Sequence, residues 1–474
     1  MDEIEADYVI IGAGAAGMAF ADTLLSETDA SLALVDRRAR PGGHWNDAYP
    51  FVRLHGPSLV YGAESRPLGS EAIEAVGINR GLLEQASGTE VLAYFDQLMR
   101  QRFLPSGRVT WLPLTDYRDG IATSRITGAR TRLRATRKLV DATYADTRLP
   151  VTEPPSFAVS PEARCIPPHA LPGAEGGEGF VVLGAGKTAM DTVVWLLEQG
   201  VAADNITWIR PRDPWLMPRE KVQPSFDFFE PTIGALAGEL EAARDAVSMA
   251  DLFDRLEAAG LMTRIDRTVA PTMFRCAIVS APELELLRRV EDVVRLGHVR
   301  AIESGRIVLD RGTIPTSPGR IHVNCTADGI PRRPATPVFQ GERIVLQYVR
   351  RCSPCFSAAF IAHVEATFAG EAEKNALCGP VPAPDEPLDW LRMHLADAAN
   401  RRAWSQSAQV QAWLAASRLD RFTGMIARAG REPTPERLAI LQRYREAAGP
   451  ALQRIAELTD QARAERRPAT LEPA

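Results

Sequence analysis

No long basic block and no excess of Lys and Arg over Asp and Glu occur in this sequence: 55 basic side chains face 60 acidic ones, a formal net charge of -5. Binding many phosphates needs clustered cations, so nucleic acid is not an expected partner. Nor is there an uninterrupted apolar stretch of membrane length. The most apolar helix-like run, around 180–197, is broken by Lys187 and Asp191, whereas a span needs about 20 apolar residues. Cysteine is scarce: Cys165, Cys276, Cys325, Cys352, Cys355 and Cys378 are scattered through 474 residues. Such usage does not make a small disulfide scaffold and fits a reducing compartment. The chain opens Met-Asp-Glu-Ile-Glu-Ala-Asp, acidic where a secretory or mitochondrial leader is basic, so no leader and a cytoplasmic location are expected. No catalytic triad, metal-ligand cluster or paired-carboxylate motif is recognisable, and no metal is expected.

What is present begins with glycine. An apolar run at 6–11 (ADYVII) has strand length and is followed at once by Gly12-Ala13-Gly14-Ala15-Ala16-Gly17 and a helical pattern through Leu25. A second run, Leu32–Val35, ends at Asp36 and Arg37. This order, β-α-β with an acid at the tip of the second strand, is what a dinucleotide-binding turn requires. Gly12 permits the tight turn, Gly14 leaves room for the backbone to approach a pyrophosphate, and Gly17 lets the helix pack on the sheet. From Ala15 and Ala16 onward the helix N-terminus offers free N–H groups and a positive dipole end to phosphate. Asp36 is placed to accept from adenosine ribose hydroxyls.

A second turn lies near mid-chain. Phe180–Leu183 leads into Gly184-Ala185-Gly186-Lys187-Thr188-Ala189 and an amphipathic helix at 190–198 that stops at Gly200. Gly184, Gly186, Lys187, Thr188 and Ala189 are the expected contacts to a second dinucleotide. The next strand, at 205–209, carries Arg210 and Arg212 at its tip in place of an acid. Two guanidinium groups suit a ribose 2′-phosphate, and so NADPH in preference to NADH; a solvated loop is the other reading.

The length predicts two or three domains. Thr89 is expected to cap a helix carrying Val91, Leu92, Phe95, Leu98 and Met99; 109–112 and 138–144 read as sheet; a proline-rich stretch at 154–172 carries a connection. Residues 233–260 read as two helices, which either cover a substrate cavity or are a packed elaboration. A short strand from Ile321 ends in small residues, 344–349 is another strand, and 357–367 a helix. The last 90 residues or so read as several amphipathic helices, with a frayed tail from Arg463. The predicted fold class is α/β: two Rossmann-like dinucleotide-binding domains with a C-terminal helical extension.

Together, GAGAAG with Asp36, the segment Pro41-Gly42-Gly43-His44-Trp45, GAGKTA, and Cys325-Thr326-Ala327-Asp328-Gly329 resemble the two-dinucleotide-domain flavoproteins. Within them the likeness is to the class B group, the flavin-containing and Baeyer-Villiger monooxygenases, over most of residues 1–370. The resemblance implies FAD on the first turn, with Gly43, His44 and Trp45 along it, and NADPH on the second. It also implies that 325–329, with Asp328, is the crossover returning the chain to a discontinuous FAD domain. That gives an FAD domain at 1–158 and 320–380, an NAD(P) domain at 159–319 with a helical insertion near 225–265, and a C-terminal helical region at 381–474.

Two departures matter. The Baeyer-Villiger fingerprint Phe-x-Gly-x-x-x-His-x-x-x-Trp is not matched: the nearest stretch, 164–172, keeps His169 but lacks the aromatic ends and the glycine. N- or S-oxygenation or hydroxylation is therefore favoured. In Leu54-His55-Gly56-Pro57-Ser58, where relatives place flavin-facing residues, the family's asparagine is missing and His55 becomes the catalytic candidate, a structural histidine being the other reading. Arg219, Lys221 and His44 are further pocket candidates, with surface or structural roles as the plainer reading.

The implied reaction has NADPH reduce FAD by hydride transfer, oxygen add as a C4a-(hydro)peroxyflavin, and one oxygen atom pass to a small organic substrate. The partners expected are thus a small molecule and O2, with neither nucleic acid nor membrane. Two other readings stay open. A flavin-dependent NAD(P)H reductase or disulfide oxidoreductase could use Cys352-Ser353-Pro354-Cys355, a C-x-x-C at a helix start, as a redox dithiol. A nucleotide-binding flavoprotein without turnover is the third.

Overall fold

The computed structural model describes residues 1–174, 177–327, 329 and 332–465. The chain enters on strand Asp2–Ile11, turns at Gly12 into helix α1 (Ala15–Glu27) and returns on Leu32–Val35, parallel to the first strand. All four residues of Leu32–Val35 are buried, as befits a parallel strand covered on both faces. The first sheet has the order Phe339–Gln340, Arg343–Val345, Arg130–Asp141, Asp2–Ile11, Leu32–Val35, Val109–Leu112, with a meander of Thr115–Arg118 and Ile121–Ser124 on Arg130–Asp141. Helix α2 (Gly88–Leu98) is capped two residues before the expected Thr89. Ser87 is its N-cap, accepting from the Glu90 N–H while the Glu90 carboxylate accepts from the Ser87 N–H, a reciprocal box that satisfies two end donors.

The second sheet is all parallel, in the order Arg164–Ile166, Ile321–Asn324, Phe180–Leu183, Ile206–Ile209, Val293–Val294. Helix α3 (Lys187–Glu198) follows its Phe180–Leu183 strand. After it the chain forms α4 (Phe229–Asp245) and α5 (Met249–Ala258), then strand Met273–Val279, which pairs in parallel with Pro214–Pro218, and α6 (Ala281–Arg288).

Ile321–Asn324 corrects the expected domain boundary at 320. All four of its residues are buried, and it lies between Phe180–Leu183 and Arg164–Ile166 in the second sheet. The chain rejoins the first sheet only at Arg343–Val345, beside Arg130–Asp141. Helix α7 (Pro354–Thr367) then packs on α1, contributing Phe356, Phe360 and Ile361 to the core that holds Met18, Phe20 and Leu24.

The remainder is helical: α8 (Glu371–Leu377), α9 (Pro387–Ser405), α10 (Ala408–Ala416), α11 (Arg421–Arg431) and α12 (Pro435–Glu465). Trp390 and Leu391 of α9 and Ile455 and Leu458 of α12 share one core with Trp215, Phe253 and Leu256. Residues 233–260 thus pack against the C-terminal helices, with α12 lying along α4. The architecture is α/β, with two Rossmann-like units and a helix-rich C-terminal extension, as the resemblance implies. Among the described residues no helix is long and apolar enough to cross a membrane.

Candidate functional site

The first glycine turn is built by close approach of backbone. A Cβ on Gly17 would lie 2.0 Å from the Gly12 carbonyl oxygen, and one on Gly43 would lie 2.8 Å from the Gly14 Cα. Any side chain at these points would push α1 off its strand or part the turn from the Pro41–Trp45 segment. Gly42 fixes that segment by donating to the Ala13 carbonyl at 2.9 Å. The N-cap of α1 is Gly14, with no side-chain cap, so the first-turn N–H groups remain for an anion. Asp36 is buried; its carboxylate accepts from the Ala13 N–H at 2.7 Å and the Arg38 N–H at 2.8 Å. A carboxylate has about four lone-pair positions, so two remain for ribose hydroxyls. Arg37 is exposed beyond it.

Trp45 is buried and donates its indole N–H to the Tyr61 hydroxyl at 2.7 Å, while His44 stacks on it with ring centroids 5.2 Å apart. Burial, helped by the Arg38 charge, pushes the His44 imidazole down to about 4, which keeps it neutral at pH 7.

The second turn repeats the plan with more open space. A Cβ on Gly184 would meet the Cys325 carbonyl oxygen at 2.7 Å, but one on Gly186 would meet nothing within 4 Å. Gly186 is the N-cap of α3, again without a side-chain cap. By contrast α6, which does not follow a glycine turn, carries a full capping box of Ser280 and Glu283. Thr188 and Ala189 lie in the first turn of α3. Lys187 does not reach into the open space. Its ammonium is folded back onto Asp191 and onto Glu283 at 3.1 Å.

That lysine belongs to a buried ionic cluster on the seam between the two units. Arg219 pairs with Glu283 at 2.5 Å, and its Nε donates to the His55 carbonyl at 3.1 Å. From the first unit, the Tyr49 hydroxyl donates to Asp191 at 2.6 Å, and Phe51 stacks on Trp195 with centroids 5.0 Å apart. Burial would push the Glu283 carboxyl up, but Lys187, Arg219 and the Ser280 N–H outweigh it and hold it at about 2. Burial and then the Lys187 charge push the His55 ring down to about 4. His55 thus sits beside the seam as a neutral ring. The i, i+4 spacing of Lys187 and Asp191 was a visible signal for part of this cluster; Glu283, Tyr49 and Arg219 come from distant segments.

Of the two arginines expected at a 2′-phosphate, the structure separates the roles. Arg212 is tied to Asp385 at 2.8 Å and to the Thr272 carbonyl, so its guanidinium is already engaged. Arg210 follows the strand whose Ile209 carbonyl accepts from the Gly184 N–H. It is 1% exposed, lies 4.7 Å over the Trp208 ring and pairs with Asp213 at 3.0 Å, yet its Nε and Nη1 have no hydrogen-bond partner among the described residues. Arg210 lines a cavity of about 580 Å³ together with Arg267, Arg288 and Arg295, against the carboxylates of Asp266 and Glu291. The three additional arginines were not found from sequence.

The alternative of a Cys352/Cys355 dithiol does not match the pairing observed. Cys352 is bonded to Cys276, which lies 76 residues earlier. Cys355 is buried, its sulfur accepts from the Gly62 N–H at 3.3 Å, and burial pushes its thiol up to about 12. Lys221 lies partly buried on the short helix Arg219–Lys221, and Asp328 lies outside the described residues.

Comparison with known proteins places a family model, the NAD(P)-binding Rossmann-like domain, over residues 10–65, which include the first turn. The uncharacterized protein Rv2000 of Mycobacterium tuberculosis (strain ATCC 25618 / H37Rv) is 44% identical over 461 residues, covering 97% of this chain and 86% of that protein. Among solved structures, a flavin-containing monooxygenase from Stenotrophomonas maltophilia aligns with 16% identity and a TM-score of 0.41, over 86% of this chain and 99% of that one. Cyclohexanone monooxygenase from Rhodococcus sp. Phi1, bound to NADP+, aligns with 11% identity and a TM-score of 0.49, over 77% and 84%.

Proposed function

The chain belongs to one family with the mycobacterial protein Rv2000, and we propose that it is an FAD-dependent oxidoreductase that takes electrons from NADPH and inserts one oxygen atom from O2 into a small organic substrate. The observation that carries the reading is the pair of glycine turns. Each follows a parallel strand and opens a helix whose N-cap is glycine without a side-chain cap, a ready anion site.

The residues present fit the two cofactors. Gly12, Gly14, Ala15, Ala16 and Gly17 would hold the FAD pyrophosphate, Asp36 the ribose, and Gly43, His44 and Trp45 would flank it. On the second turn Gly184, Gly186, Thr188 and Ala189 would receive the NADPH pyrophosphate. The unpartnered nitrogens of Arg210, in a cavity with more arginines than carboxylates, support a 2′-phosphate and so NADPH over NADH. Lys187 would act by positioning, through Asp191 and Glu283.

When bound, FAD supplies hydride acceptance and the onward reaction with oxygen. The protein's part is binding, orientation and exclusion of water. The Tyr49–Asp191 and Arg219–His55 hydrogen bonds and the Phe51–Trp195 stack tie the two units together and would exclude water from the seam between the two turns. A His55 ring held near 4 is neutral at pH 7 and serves as a hydrogen-bonding wall group, without a stored proton.

The test is reconstitution with FAD followed by turnover with NADPH under oxygen-18 gas, on a panel of tertiary amines, thioethers and phenols. One labelled oxygen atom in a product is the expected result. Hydrogen peroxide with no labelled product across the panel would overturn the monooxygenase reading, and failure to take up FAD would overturn the flavoprotein reading itself.

A further inference from the structure

Cys276 and Cys352 join two parts of the molecule that sequence keeps 76 residues apart. Cys276 lies in strand Met273–Val279, beside the second unit; Cys352 lies two residues before the first residue of α7, which packs in the first. Their Cα atoms are 6.6 Å apart, within the reach of a cystine. Both residues adopt a left-handed backbone, φ 53° at Cys276 and 48° at Cys352. L side chains rarely take that conformation, and where it persists the surrounding structure over-determines it.

Exposure separates this pair from the other cysteines. Cys352 is exposed and Cys276 half-buried, so a soluble thiol can reach the bond. Cys325, Cys355 and Cys378 are buried and Cys165 half-buried. Burial pushes Cys165 up to about 11, Cys325 and Cys355 up to about 12, and Cys378 well above the ordinary thiol range, which leaves them poor nucleophiles.

The bridged strand also runs along the seam. Beyond Cys276, the Ile278 side chain lies 3.7 Å from the position of a Cβ on Gly56, beside His55. Ser280 then caps α6 and fixes Glu283, the partner of Lys187 and Arg219. A bond at Cys276 therefore anchors the middle of the strand whose C-terminal end leads into the ionic cluster between the two units.

We propose that Cys276–Cys352 is a reversible, thiol-exchanging cystine that clamps strand Met273–Val279 to the start of α7 and so controls opening of the seam. Its reaction partner is a low-molecular-weight thiol. A thiolate attacks the Cys352 sulfur, giving a mixed disulfide and releasing the Cys276 thiolate, which takes up a proton. A second thiol then displaces the first as its disulfide. Two electrons pass from the small thiols to the cystine, leaving two protein thiols; oxidised small disulfide reverses the sequence.

The test needs neither FAD nor NADPH, so its failure is distinct from failure of the proposed function. The full-length native protein is incubated with oxidised or reduced glutathione, desalted, treated with iodoacetamide and mapped by mass spectrometry. After reduced glutathione two additional alkyl groups should appear, at Cys276 and Cys352; after oxidised glutathione both sites should be protected and linked in one cross-linked peptide. Hydrogen exchange in 273–279 and 350–354 should be faster in the reduced protein, and Cys276→Ser and Cys352→Ser should both exchange like reduced wild type. Equal alkylation of both residues after either treatment, or a linked pair that millimolar reduced glutathione leaves intact, would overturn exchange. Reversible linkage with unchanged hydrogen exchange would overturn the clamp.

Discussion

Replacing Glu283 by Gln probes the seam with a change of almost no volume. Glu283 is buried and accepts from Arg219 at 2.5 Å, from Lys187 at 3.1 Å and from the Ser280 N–H at 2.7 Å. Its carboxyl is held at about 2 against an unfolded value near 4.3, and at 1.36 kcal/mol per unit this corresponds to about 3 kcal/mol. Removing one partner of a buried pair costs a similar amount, about 3–5 kcal/mol, because the remaining charges lose their counter-ion. Urea unfolding followed by tryptophan fluorescence at pH 7 should therefore show Glu283→Gln less stable by about 3 kcal/mol. Exposed Glu285→Gln on the same helix should stay within about 0.5 kcal/mol. The folded pKa is depressed, so the wild-type advantage is full above about 4.3, shrinks as pH falls, and is gone near 2. Adding Lys187→Met to Glu283→Gln should cost less than the sum of the single variants, by about 0.5–3 kcal/mol. A Glu283→Gln protein within about 0.5 kcal/mol of wild type at pH 7, or one keeping the same acid limb, would refute the cluster.

The two turns give opposite expectations for Gly→Ala. Gly17→Ala, whose Cβ falls 2.0 Å from the Gly12 carbonyl oxygen, should cost about 1–3 kcal/mol and lower the FAD-to-protein absorbance ratio; Gly186→Ala meets nothing within 4 Å and should fold normally while raising KM for NADPH. Arg210→Ala should raise KM for NADPH about 10- to 100-fold with little change for NADH, the loss of a charged hydrogen bond worth about 1.5–3 kcal/mol, and Arg212→Ala should leave the NADPH/NADH ratio unchanged. His55→Gln should have the same kcat profile as wild type between pH 5 and 8, since a ring lowered to about 4 stays neutral across that range; a wild-type step near pH 6.5 that the variant lacks would contradict this.

What the sequence discloses follows from how local its signals are. Both glycine turns, their strands and their helices lie in short contiguous segments, where a close-packed turn dictates residue type. Arg210 is proposed for the second cofactor from an equally local cue, its place just past the tip of the second strand of its unit. Long-range pairing is a different matter. Lys187 meets Glu283 96 residues away, Arg212 is captured by Asp385 173 residues away, and Cys352 bonds Cys276, since nothing local ties it to the nearer Cys355. The same limit explains the boundary near 320: Ile321–Asn324 is apolar enough for either sheet, and only its pairing with Phe180–Leu183 assigns it to the second.

The central claim is an electron path from NADPH to FAD within one chain. Anaerobic stopped-flow mixing of the FAD-reconstituted protein with NADPH, followed at the flavin absorbance near ~450 nm, tests it directly, because hydride transfer and oxygen reaction are separate half-reactions. Complete bleaching is expected, at a rate that saturates with NADPH and falls in Gly186→Ala and Arg210→Ala at sub-saturating NADPH. Stable oxidised flavin in the presence of excess NADPH would contradict it.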